Sequence, residues 1–339
     1  MWLRSAPADL TWIIGPGLVA TVAVMFLPAT DPPPAWVYVV CVLLVDVAHV
    51  YATLFRTYLD PRKRREWRRL LVGVPIGCTV ALLAVQVLLP TLLWTVLAYL
   101  AAFHFVRQVV GFGMLYRAKA GLPMAGPAAR AERAALYAVT VYPLFWWHLH
   151  LPQPFVWFVP GDFVALPVGT AGAWLALVGA GVAALALGAH AWYRLSSRRW
   201  SPGRDLWLLS SAVVWFGGIM VASNDLAFTV SNTIAHGVPY FALVILVRRP
   251  SSEGGASWLG PALLVVATAV LLAVVEEGLW DRLVWHDREW LFGTGTPPPW
   301  LVWLAVPLLA VPQTTHYVLD RYIWQIRKDR DLRGSLGLN

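Results

Sequence analysis

Long apolar runs separated by short polar stretches make up the pattern of this chain from end to end. A helix needs about 20 predominantly apolar residues to cross a bilayer's hydrocarbon core. On that ruler the pattern predicts ten spans, at 10–28, 35–59, 70–89, 91–116, 134–150, 172–193, 206–222, 226–247, 258–279 and 300–326. Only Pro90 divides the third from the fourth, and only Ser223, Asn224 and Asp225 divide the seventh from the eighth, so both pairs are predicted to be tight hairpins. The fifth is the least regular, with Pro143 inside it, Pro152 beyond it and Trp and His crowding its end. The expected fold is all-α: a polytopic membrane helical bundle of about ten transmembrane helices. It forms one integral membrane domain over residues 1–339, with a basic cytoplasmic tail at 327–339.

Composition agrees. Hydrophobic residues make up 59% of the chain and charged residues 13%, with mean hydropathy +0.63; soluble domains carry about 25% charged residues. Cys41 and Cys78 sit inside apolar runs and read as small core residues, not as a redox pair. Residues 1–9 lack the short apolar core and cleavage site of a removable signal peptide, so the first span is expected to be retained.

Charge then gives an orientation. Arg62, Lys63, Arg64, Arg65, Arg68 and Arg69 follow the second span, and Arg117, Lys119, Arg130 and Arg133 the fourth. Arg194, Arg198, Arg199 and Arg204 follow the sixth, Arg248 and Arg249 the eighth, and Arg327, Lys328, Arg330 and Arg333 the tenth. The alternate connections at 29–34, 90, 151–168 and 223–225 have no Lys or Arg, and 280–299 is mixed. Ten spans with both termini in the cytoplasm satisfy this alternation, in a multi-pass protein of the plasma (inner) membrane. The net charge of +8 is thus a topology signal and a contact for anionic lipid heads. No aromatic–basic groove is present, so nucleic acid is not an expected partner.

Function must come from the polar residues that a bilayer excludes, since an ionisable side chain at mid-membrane costs at least about 2.5–3.5 kcal/mol. The second span carries Asp46, His49, Tyr51 and Arg56, and the fourth His104, Arg107 and Gln108. The eighth carries Asn232, His236 and Tyr240, and the tenth Gln313, His316 and Asp320. His49 precedes Arg62 by 13 residues, His104 precedes Arg117 by 13, His236 precedes Arg248 by 12 and His316 precedes Arg327 by 11. At 1.5 Å rise per residue all four lie roughly 16–20 Å from the basic surface, in one layer. The four spans run in the same direction, so their imidazoles can converge on one point.

Imidazole is the commonest biological metal ligand and suits Zn, Cu, Fe and Ni. The expected metal ligands are therefore His49, His104, His236 and His316. Each has a polar companion on its own helix face, three or four residues away: Asp46, Gln108, Asn232 and Asp320. Gln108, Asn232, Gln313 and Arg56 are expected to complete the cofactor's surroundings, with Arg56 and Arg107 pairing with Asp46 and Asp320. The plainer alternatives are an interhelical hydrogen-bonding role for the histidines and structural ion pairs for the two aspartates. His148, His150 and His190 read as interfacial, and His286 lies in an outer loop.

The order of these patches resembles that of the Brp/Blh membrane carotene dioxygenases. Four stretches carry the likeness: 46–49, Phe103-His104-Phe105, Ile234-Ala235-His236, and 311–320, which opens with Val311-Pro312 and ends on Asp320. The resemblance implies iron held by histidines and oxygen-dependent cleavage of a polyene. This chain departs from the pattern in three places. It lacks Pro-His-Gly around His49, has Tyr240 where a second His is expected four residues after His236, and has Gln313 after Pro312 with His316 three further on.

Three function classes follow. The first is a metal-dependent membrane oxidoreductase or oxygenase acting on a lipid or isoprenoid that enters laterally between helices. Its centre would be Fe(II), with zinc or copper as other candidates, held by four His or by three His and a carboxylate. Arg107, Tyr51 or Tyr240 would position substrate or stabilise developing negative charge, Asp46 and Asp320 would be added ligands of a dinuclear centre, and any redox partner would be a separate protein. The His-x-x-x-His and His-x-x-His-His clusters of membrane desaturases are missing. The second class is a proton-coupled transporter using Asp46, His49, Arg107 and Asp320. The third is a b-type haem electron-transfer protein, although two haems would call for His pairs at two depths and there is one layer.

Overall fold

The computed structural model describes residues 1–338 except 31, 153–156, 198–199 and 249–258. Arg198, Arg199, Arg249 and Trp258, used above for orientation and for the start of the ninth span, lie outside the described residues. The described residues form helices and connections, with no strand among them. In chain order the helices are α1 (Ala6–Val24), α2 (Ala35–Arg56), α3 (Arg68–Leu88) and α4 (Pro90–Lys119), then α5 (Pro127–Leu149). They continue as α6 (Ala171–Ser197), α7 (Pro202–Val221), α8 (Asp225–Arg248), α9 (Leu259–Trp285) and α10 (Pro299–Ile323), and finish with the short α11 (Arg330–Leu336).

Nine of these, among the described residues, are long and apolar enough to cross a membrane. The expected fifth span is present as α5, which has 23 residues, or about 34 Å at 1.5 Å each. It is long enough to cross, but Arg130, Glu132 and Arg133 in its first turns make it less apolar than the rest. It packs along α6 and contacts α4 and α7, and Pro143 lies within it without ending it. Both predicted hairpins are present: Leu89 alone separates α3 from α4, and three residues separate α7 from α8.

α8 is the centre of the bundle, packed on α1, α2, α7 and α9. Its small residues permit this. A Cβ on Gly237 would lie 2.5 Å from Val45 Cγ1 and 2.8 Å from the Val45 carbonyl oxygen, and a Cβ on Gly17 would lie 2.6 Å from Ala235 Cβ. Only glycine lets α2 and α8 approach so closely. α2 is not a uniform helix. Tyr38–Val47 is wound as a wide π-helix and Thr53–Arg56 as a tight 3₁₀ turn, departures that recur at functional sites. Here they bracket His49.

The basic connections gather at one end of the bundle. Lys63 pairs with Asp329 at 3.0 Å and Arg62 with Asp331 at 3.6 Å, Arg117 bonds Glu132 at 2.5 Å beside Arg204, and Arg248 donates to the Phe55 carbonyl at 3.0 Å. The stretch expected as a basic cytoplasmic tail folds back beneath this end. Leu332 and Leu336, one turn apart on α11, are buried in the core around Tyr116 and Trp207. Lys119 Nζ donates to the Leu336 carbonyl. Burial of those two leucines outweighs the freedom of a charged tail.

Candidate metal centre

The four histidines predicted to share a layer meet. His49 comes from α2, His104 from α4, His236 from α8 and His316 from α10, each only 2–4% exposed. One ring nitrogen from each lies within 4.8 Å of the other three. His49 Nε2 is 3.0 Å from His236 Nε2, and His104 Nε2 is 3.1 Å from His316 Nε2. For a metal–nitrogen distance of about 2.0–2.1 Å, tetrahedral ligands sit about 3.3–3.4 Å apart and adjacent octahedral ones about 3 Å apart. The two short pairs are therefore spaced as neighbouring ligands of one ion, while the 4.8 Å spread of the whole set exceeds the roughly 4.2 Å across such an ion, so the rings would draw in by a few tenths of an ångström on binding it.

The rings are held from behind. Phe105 stacks on His236 with centroids 3.8 Å apart, and Tyr317 stacks on His104 at 4.4 Å. Thr53 Oγ1 lies 2.6 Å from His316 Nδ1 and 2.8 Å from the Tyr240 hydroxyl, which donates to Asp320 Oδ1 at 2.8 Å. One assignment satisfies the whole chain: His316 Nδ1–H donates to Thr53, Thr53 to Tyr240, and Tyr240 to Asp320. It leaves the lone pair of His316 Nε2 facing the centre, as a metal ligand requires. Asp320 is also 3.8 Å from His104 Nε2 and 3.7 Å from His316 Nδ1. Asp46 Oδ1 stands 3.9 Å from His49 Nδ1 and has no hydrogen-bond partner. Four neutral imidazoles with two carboxylates at their edge form a donor set suited to a divalent transition ion.

Compared with protein-family models, curated proteins and solved structures, the chain matches none.

Of the residues expected around the histidines, Asp46, Asp320 and Tyr240 lie beside the cluster. Tyr51 is drawn aside, donating to Glu276 Oε2 on α9 at 2.5 Å. Gln313 lines a neighbouring cavity, one turn before Tyr317. Others are not at the centre. Arg107 is exposed and bonds the Tyr137 hydroxyl on α5, leaving Asp320 to Tyr240. It sits at the margin of the inward face, and its long side chain leaves that face to reach α5. Arg56 cannot reach Asp46, ten residues up the same helix and about 15 Å away. It binds Asp329 at 2.8 Å instead and lies against Trp324. Gln108 serves α8, not His104, by donating to the His236 carbonyl at 2.7 Å. Asn232 faces α7, where its amide packs at Gly218 and bonds Ser231.

Sequence reasoning passed over three groups. Thr53, which joins His316 to Tyr240, carried no signal beyond being a hydroxyl one turn past His49. Glu276 and Glu277 did: adjacent acids inside an apolar run, open to the same intramembrane argument that found the histidines. Glu276 accepts from Tyr51 and, at 3.3 Å, from Trp280 Nε1; Glu277 accepts from Tyr38 at 2.8 Å.

Proposed function

We propose that this chain is a metal-dependent integral membrane oxidoreductase or oxygenase built around a single ion held by His49, His104, His236 and His316. It acts on a lipid or isoprenoid substrate. The convergence of four buried imidazole nitrogens within 4.8 Å of one another carries the reading. Iron is the ion best matched to imidazole and carboxylate donors together with oxygen chemistry; zinc and copper suit the same donors. When bound, such an ion supplies Lewis acidity and, if redox-active, electrons. The four-patch resemblance to the Brp/Blh dioxygenases supports iron and oxygen, and we place the end bearing the basic connections in the cytoplasm on the positive-inside pattern.

The protein's own part follows from its geometry. Helix packing fixes the four rings before any ion arrives, which lowers the cost of assembling the site. The chain of hydroxyls from Thr53 to Tyr240 holds His316 in the ligating tautomer, and Asp320 accepts the hydrogen bond at its far end. Asp46 stands where a proton can be taken or returned beside His49. Phe105, Tyr317 and the surrounding apolar helices cover the rings, and the low dielectric around them strengthens each of these electrostatic contacts. Haem fits this arrangement poorly. The ring centroids lie only 4.4–6.4 Å apart, so the imidazoles themselves fill the space a macrocycle would occupy.

The test is elemental analysis of detergent-purified protein combined with an absorption spectrum and anaerobic redox titration. About one iron or copper per chain, no Soret band and a reversible one-electron change are expected. A Soret band, or absence of any transition metal after expression in metal-replete medium, overturns the proposal.

A further inference from the structure

A cavity of about 360 Å³ runs from the end opposite the basic connections to the edge of the histidine cluster. Its mouth is formed by Pro32, Pro33, Pro34, Asp225, Asp287 and Arg288. Its inner end is formed by Asp46, Val50, Phe105 and Gln313; Phe105 stacks on His236. That volume lies within the roughly 300–1,000 Å³ range of small-molecule sites. The walls combine two chemistries. Tyr38, Trp157, Phe228, Trp280 and Trp285 present aromatic surface, and Asp46, Glu276 and Glu277 present carboxylates from within the membrane-spanning part.

Among the described residues lining the cavity, Arg288 at the mouth is the sole Lys or Arg, against five carboxylates. Carboxylates in a low-dielectric wall persist only when they are hydrogen-bonded, protonated or paired with a cation. Their hydrogen-bond donors are neutral, Tyr38 to Glu277 and Tyr51 and Trp280 to Glu276, and Arg288, over the Tyr38 ring, is the one cation beside them among the described residues. Asp46 lies at the inner end, with its buried Oδ1 turned toward His49 Nδ1 at 3.9 Å. Aromatic faces beside carboxylates are the recurrent setting for organic cations. The rim already shows this: the Arg288 guanidinium sits 3.8 Å from the centroid of the Tyr38 ring.

We infer that this cavity binds an organic ammonium group, and that the substrate of the four-histidine centre is an amine or quaternary ammonium with an apolar remainder. It enters from the end opposite the basic connections, not laterally from the lipid. The inference rests on the proposed function for the word substrate; binding of the cation does not depend on it. The positive end lies toward Glu276, Glu277 and Asp46, and the apolar part lies against the tryptophans.

The experiment is equilibrium dialysis of labelled choline, and of its neutral carbon isostere 3,3-dimethylbutan-1-ol, against the full chain in nanodiscs, with empty nanodiscs subtracted. Choline is expected to bind at least tenfold more tightly than the isostere. Glu277→Gln and, independently, Trp285→Leu are expected to weaken choline at least fivefold while metal content is unchanged. His316→Ala is expected to lose metal yet keep choline binding, so a failed metal centre and a failed cation site give different results. Equal binding of the two probes, tighter binding of the isostere, or wild-type choline affinity in both cavity variants overturns the inference.

Discussion

Replacing Gly237 with alanine tests whether helix packing sets the histidine geometry. The added Cβ would lie 2.5 Å from Val45 Cγ1 and 2.8 Å from the Val45 carbonyl oxygen, where ordinary contact begins at 3.4 Å. The Val45 side chain can rotate away. The carbonyl cannot, so α2 and α8 must part by about 3.4 − 2.8 = 0.6 Å. His49 is four residues from Val45 on α2 and His236 is next to Gly237 on α8, and their Nε2 atoms are 3.0 Å apart. Metal–ligand distances tolerate about 0.2 Å, so a displacement three times larger falls on a ligand pair directly. Overpacking of this kind costs about 1–3 kcal/mol in stability, and disturbed ligand orientation costs about 10–100-fold in metal affinity. The assay is a competitive chelator titration alongside thermal unfolding in detergent. Gly181→Ala, where a Cβ would meet nothing within 4 Å, is the matched control. Wild-type metal affinity in Gly237→Ala would refute the claim that this contact positions the ligands.

Thr53→Val keeps the shape but removes the hydroxyl between His316 and Tyr240; metal affinity should fall about 10–100-fold, and chelator titration reads the change. Asp329, in the connection below the bundle, pairs with Arg56 at 2.8 Å and Lys63 at 3.0 Å. Its burial alone would raise its pKa, but the Leu332 amide, Lys63 and Arg56 outweigh that and hold the carboxyl below its ordinary 3.8. A carboxylate depressed in the folded state stabilises the fold above its unfolded pKa and loses that contribution as pH falls through the folded one. Unfolding on acidification below about pH 4 should therefore be flatter in Asp329→Asn than in the parent. That variant should also be less stable at neutral pH, by up to about 3 kcal/mol, because buried Arg56 loses its ion-pair partner while Lys63 keeps Glu66 at 3.1 Å. A parallel acid profile would show that the pair contributes nothing.

The spans and the centre were legible because hydropathy and depth are one-dimensional quantities. Counting residues from Arg62, Arg117, Arg248 and Arg327 back to each histidine gives its height in the bilayer, and equal heights on spans of one direction leave only azimuth undetermined. Azimuth is where residue-by-residue reading failed. Arg107 and His104 are three apart, yet a long cationic side chain at the margin of a face can leave it. Gln108, four residues on, shares a helix face with His104 by spacing yet crosses to α8, because a pair on one helix gives no information about the neighbouring backbone. Arg56 was misread for a simpler reason: its true partner, Asp329, comes from a fold-back of the chain that no local periodicity encodes. The acids on α9 were visible and passed over, and α5 is less apolar than its length suggests because its first turns carry Arg130, Glu132 and Arg133.

Metal content per chain after purification tests the central claim most directly, measured for the parent, for each of His49→Ala, His104→Ala, His236→Ala and His316→Ala, and for His190→Ala. About one ion in the parent and in His190→Ala, with loss from all four of the others, is the predicted outcome. Full metal content in any folded one of those four contradicts a single ion held by all four rings.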